Sequence, residues 1–147
     1  MDRNEAMSAL GAIDGAQAAL ARAADCPPWR HAAFGGVMGV ITLSAGLGQP
    51  YNFLLLAVAF VSIALIVISD RRRMGIFING YRKGATRPLT FVMLGVMLVI
   101  IFAEIHAKDA GLALATRVAL ALIAAAIATG MSVIWQRIFR REMGLSA

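Results

Sequence analysis

A single cysteine, Cys26, excludes an intrachain disulfide and leaves no set of thiols for a metal site. Histidine is almost as scarce, with only His31 and His106. Charged residues make up 15% of the 147 positions, where soluble domains carry about a quarter. No Ser/His/Asp set, no phosphate-cradling glycine loop and no paired carboxylates occur in the polar segments, so catalysis has no visible chemistry and no enzyme is expected.

What fills the chain instead is apolar sequence: 60% of the residues, a mean hydropathy of +0.76, and several long uncharged runs. That composition points to a membrane protein. The net charge is +6, from twelve Arg and two Lys against eight acids. A basic balance suits nucleic acid or a membrane surface. The basic residues here flank apolar runs, so the membrane is the expected partner and nucleic acid is not. Heavy use of Ala and Arg suggests a GC-rich bacterial genome.

Residues 1 to about 28 are too polar for a signal peptide. They read as an Ala-rich amphipathic helix from about Asn4 to Ala24, closed by Pro27 and Pro28. Leu10, Ile13, Ala16, Leu20 and Ala24 share one thin face. Over residues 2–25 four acids oppose two arginines, so the helix is acidic and gains little attraction to anionic lipid.

Four spans are expected, at about 32–48, 51–69, 89–107 and 112–134. The first is at the short end for a hydrocarbon core roughly 30 Å thick. Gly48, Gln49 and Pro50 turn the chain without any charge, and Lys108 to Gly111 turn it again. Between the two hairpins lies a basic connector, 70–88, with Pro88 in the first turn of the third span. The connector holds six of the fourteen Lys and Arg residues; the C-terminal tail and the N-terminal segment hold three each. With four spans these regions share one side, and the positive-inside rule makes that side cytoplasmic. Trp29 and Trp135 fall at the same interface, where amphipathic aromatics concentrate.

Several residues are candidates for function. Gly35 and Gly39 form a small-xxx-small step in the first span, continued by Ser44 and Gly48. Ala124 with Ala128, and Ala126 with Gly130, repeat the spacing in the fourth. Small residues four apart let helix backbones approach closely, within the bundle or in a homo-oligomer. Folding the second hairpin about Asp109 and Ala110 brings Glu104 within a short step of Arg117, an expected ion-pair clasp that would shield both charges from lipid. Lys108, four residues from Glu104, is a second possible partner. A proton- or cation-handling site there is the sharper alternative. His31 and His106 fall at opposite faces, about 30 Å apart, and cannot ligate one haem within a subunit. No cofactor and no metal are expected. In the connector, Arg71, Arg72, Arg73, Tyr81, Arg82, Lys83 and Arg87 could contact anionic headgroups or a protein partner. The acidic N-terminal helix shares that side and is expected to fold back across them.

The Pro28-Trp29 entry to the first span and the loop Gly80-Tyr81-Arg82-Lys83-Gly84 complete a pattern. With them the chain resembles small four-pass bacterial membrane proteins that have a cytoplasmic N-terminal helix and an Arg/Gly-rich central loop. That resemblance supplies no activity. The expectation is therefore an all-α integral membrane four-helix bundle (residues 29–147) preceded by a cytoplasmic helix (1–28), in a bacterial plasma membrane with both termini inside. Its expected role is a non-enzymatic scaffold or accessory subunit acting through protein or anionic-lipid contacts. The rival is a small oligomeric transporter or channel.

Overall fold

A computed structural model of the chain describes residues 3–23, 26–74 and 84–142, with side chains described for 5–16, 26–72 and 84–142. Among the described residues every element is helical: α1 (Arg3–Ala23), α2 (Pro28–Gly46), α3 (Tyr51–Met74), α4 (Thr86–Asp109) and α5 (Leu114–Glu142). Pro28 opens α2, where its missing N–H has no helical partner to lose.

Alternation in direction follows from which residues meet. Arg30 at the start of α2 bonds Asp70 near the end of α3. His31 meets Ser132, late on α5. At the opposite end of α2, the Gly46 carbonyl receives Arg117, early on α5, and Arg117 also holds Glu104, late on α4. Hence α2 and α4 run one way, α3 and α5 the other. The central helix is α2, which packs against α3, α4 and α5, while α5 also packs against α4.

Three of these helices are long and apolar enough to cross a membrane: α3 over Tyr51–Arg72, α4 and α5. Their large apolar side chains point outward, among them Phe60 and Leu65 on α3, Val99 and Phe102 on α4, and Leu122 on α5. Such continuous exposed apolar surface is stable only in an apolar solvent. Three such helices point to a membrane protein. By contrast α2 is not in that class, because Arg30, His31 and four glycines dilute it. Its residues face neighbouring helices: His31, Gly35, Val37, Gly39, Thr42, Ser44 and Gly46 are all buried. The hydroxyls of Thr42, Ser44 and Thr129 donate to carbonyls of their own helices, to Met38, Ile41 and Ala125. Such back-bonding satisfies a polar group that lipid cannot.

Close approach of α2 to α5 depends on glycine. A Cβ at Gly35 would lie 2.5 Å from the Ala125 carbonyl oxygen, and one at Gly39 would lie 2.9 Å from that of Ala121. On the α5 side Ala121, Ala124 and Ala128 are buried, with Met97 of α4 completing the small core. The expected partners Ala126 and Gly130 do not belong to this seam. They are exposed, and a Cβ at Gly130 would meet nothing within 4 Å. The reason is angular: at about 100° per residue, a shift of two positions from Ala124 and Ala128 turns the pair to the far side of the helix.

Two boundaries also differ from expectation. The segment 70–88 is helical at both ends, since α3 continues to Met74 and α4 starts at Thr86. Beyond residue 134, α5 continues through Trp135 to Glu142, because Gln136, Arg137, Arg140 and Arg141 are good helix formers and Phe139 is buried. Trp135 and Phe139, one turn apart, stack with ring centroids 5.3 Å apart.

Gly35→Val should therefore overpack the α2–α5 seam and cost about 1–3 kcal/mol. Gly130→Val, at an open position, should leave the thermal midpoint in detergent nearly unchanged. Equal loss in both variants would contradict the packing described.

Candidate functional site

The two ends of the bundle differ in charge, and the polar side chains of the interior gather there. At the end formed by the starts of α2 and α4 and the ends of α3 and α5 lie Arg30, Arg71, Arg72, Arg87, Arg137, Arg140 and Arg141. The described acids at that end are Asp70 and Glu142. At the opposite end, Glu104 and Asp109 offset Lys108 and Arg117.

At the basic end Arg30 grips Asp70: its Nε donates to Oδ1 and Oδ2, each at 2.8 Å, and Nη2 donates to Oδ2 as well. Asp70 is thereby buried, with 5% of its side chain exposed, while Arg30 retains 30%. A fork-like guanidinium–carboxylate contact of this kind holds two helix ends in one register. Arg30 Nη1 also lies 3.6 Å from Cys26 Sγ. Next on α2, His31 Nδ1 and Ser132 Oγ are 2.8 Å apart, tying α2 to α5. The Glu142 carboxylate accepts the backbone N–H of Ala85, at the start of α4. It satisfies an N–H that has no helical partner, at the positive end of the helix dipole. Arg71, Arg72, Arg87, Arg137 and Arg141 remain exposed, and the Arg87 guanidinium lies 5.8 Å from the centre of the Phe91 ring. Trp29 and Trp135 belong to this end too, Trp29 being half exposed.

At the other end the structure brings Glu104 and Arg117 together, with Arg117 Nε donating to Glu104 Oε1 at 3.3 Å. Arg117 Nη2 donates to the Gly46 carbonyl, so three helices meet on one guanidinium. Glu104 is fully buried. A Cβ at position 46 would lie 2.8 Å from Glu104 Cδ and 2.9 Å from Arg117 Nη2, so a side chain there would displace the ends of both. The second carboxylate oxygen, Oε2, is buried without a hydrogen-bond partner. Lys108, the other candidate partner, is exposed, as is His106.

Of the basic candidates, Arg71, Arg72 and Arg87 stand exposed at one end of the bundle. Tyr81, Arg82, Lys83 and the Arg73 side chain lie outside the described residues, and with them the expected contact of α1 with the connector. The described face of α1 is exposed, including Leu10 and Ile13. Gly35 and Gly39 line the α2–α5 seam, whereas Ala126 and Gly130 do not. Sequence reasoning missed three residues in particular: Arg30, Asp70 and Gly46. Folding the first hairpin about residues 48–50 would have set Arg30 near Asp70. Gly46 carried no such signal, since its role depends on a side chain from another hairpin. Among the described residues, no three His, Cys, Asp or Glu side chains gather as metal ligands. Comparison with models of protein families, with curated proteins and with solved structures returns no match.

Removing one partner of a buried pair leaves the other charge uncompensated, typically at about 3–5 kcal/mol. Arg117→Leu and Glu104→Leu should each lower the thermal midpoint in detergent, and the double variant should lose less than the two losses combined. Strict additivity would mean that the 3.3 Å contact carries no coupling.

Proposed function

We propose that the chain is a non-enzymatic four-span protein of the bacterial plasma membrane, acting as a scaffold or accessory subunit through its basic end. On this reading α2 is the fourth span. It passes through the bilayer packed against α3, α4 and α5, which is why the face it turns to them tolerates glycine and polar residues that a lipid-facing surface would not. The single observation that carries the proposal is the segregation of charge: exposed arginines cluster at one end, while the other end balances its charges. Arginines beside a bilayer attract anionic headgroups at about 1 kcal/mol each. By the positive-inside rule that end faces the cytoplasm, with both termini on its side. The interior between the ends supports a structural role, because its buried hydroxyls are occupied by helix backbone.

A second reading, a small oligomeric transporter, draws on one specific feature. Glu104 is a buried carboxylate with one oxygen unpartnered, and ionisable residues within membrane segments often mark ion pathways. Its full burial and its arginine partner favour the clasp.

Two measurements test this. In a Cys26→Ser background, an impermeant maleimide applied to spheroplasts should label Lys108→Cys, and should reach Ala9→Cys only after permeabilisation. The reverse pattern would overturn the orientation. In sealed liposomes the purified protein should conduct neither protons nor monovalent cations above the empty-vesicle rate. A flux abolished by Glu104→Gln, with the thermal midpoint retained, would favour transport.

A further inference from the structure

An open groove of about 350 Å³ runs between α2 and α3, floored by Val37 and Ala59 and flanked by Gly36, Val58 and Leu65. It offers no free hydrogen-bond donor, because its one hydroxyl, on Ser62, donates to the Val58 carbonyl at 2.8 Å. Residue 36 borders this space, and an added Cβ there would meet nothing within 4 Å. Along α3 the groove's stripe leads directly to the basic end. Val58, Leu65 and Arg72 are spaced by seven, two helical turns, and so share a face. From Val58 to Arg72 is about 21 Å at 1.5 Å per residue. One headgroup layer plus half of the hydrocarbon core has about the same depth, roughly 21 Å.

We propose that this groove is a binding site for one anionic phospholipid of the arginine-side leaflet. One acyl chain lies over Gly36 between α2 and α3, and the phosphate sits against Arg71 and Arg72. The proposal rests on the membrane reading above and gives the basic end a defined ligand. Charge favours the lipid. Arg71 and Arg72 are exposed, and the adjacent acid, Asp70, is already held by Arg30 and withdrawn from the surface. It therefore does not oppose an anion. A second copy docked side by side through the same groove would bring two such arginine pairs together, a like-charge arrangement that costs affinity.

The test uses the full chain, delipidated in a neutral detergent and offered palmitoyl-oleoyl phosphatidylglycerol or phosphatidylcholine, with bound lipid counted by native mass spectrometry. Wild type should retain phosphatidylglycerol preferentially. Arg71→Gln/Arg72→Gln should weaken phosphatidylglycerol binding by about fivefold per arginine and leave phosphatidylcholine unchanged. Gly36→Leu should fill the groove and remove the retained lipid of both kinds without lowering the thermal midpoint. Ser62→Leu fills it from α3, should act likewise, and serves as the test if Gly36→Leu fails to fold. If filling the groove leaves lipid binding intact while the arginine variant weakens it, the groove site is wrong and the basic-end function stands. If wild type shows no preference for phosphatidylglycerol, the site and the lipid-contact reading of the basic end both fall. If Gly36→Leu instead splits a dimer and leaves bound lipid unchanged, the groove belongs to a second copy and the proposal is overturned.

Discussion

Close contact between the backbones of α2 and α5 is the constraint from which the rest of the bundle follows. Gly35 and Gly39 let α2 settle onto the Ala121–Ala125 turn of α5, where any side chain would strike a backbone carbonyl. In lipid the hydrophobic effect gives no net drive for helices to associate, so intimate packing and buried polar contacts must supply it. With the α2–α5 seam in place, α3 and α4 can each pack on α2, and their outer faces are left to the solvent. That is why three helices carry exposed Phe, Leu and Val while the fourth carries buried glycine, threonine and serine.

The same geometry decides where charge can reside. Arg30 and Asp70 close one end of the α2–α3 hairpin, and Arg117 joins Gly46 and Glu104 across three helices at the other. Between them, the described hydroxyls of α2 turn back onto their own helix. A membrane interior penalises an unpaired polar group heavily, so polar groups are either tied to backbone or moved to the ends. Among the described residues two buried oxygens are exceptions, Glu104 Oε2 and Thr86 Oγ1. Unsatisfied buried oxygens of this kind mark points where the structure is not locally complete.

The helical class and the helix order were legible from the chain alone, because apolar runs of membrane-spanning length are interrupted by Gly48-Gln49-Pro50 and Lys108 to Gly111. Leucine and phenylalanine signal lipid-facing surface directly, and three of the five helices meet that standard. The α2 helix weakens the signal because its neighbours replace lipid as its surroundings. Small-xxx-small spacing identified Gly35 with Gly39 and Ala124 with Ala128, yet the same rule also selected Ala126 with Gly130, which face outward. Spacing reports that a smooth stripe exists. It does not report which side of the helix the neighbour occupies.

By itself the sequence determined the elements, the placing of most arginines outside the apolar runs, and the opportunity for Glu104 to reach Arg117 across a short turn. These are local properties, set by composition and by residues close along the chain. Only the tertiary structure decided that α2 is central and that Gly46 lies where a side chain would displace the ends of Glu104 and Arg117. Each of these depends on a helix from elsewhere in the chain arriving within a few ångströms, and helix-to-helix register is not encoded in any single segment.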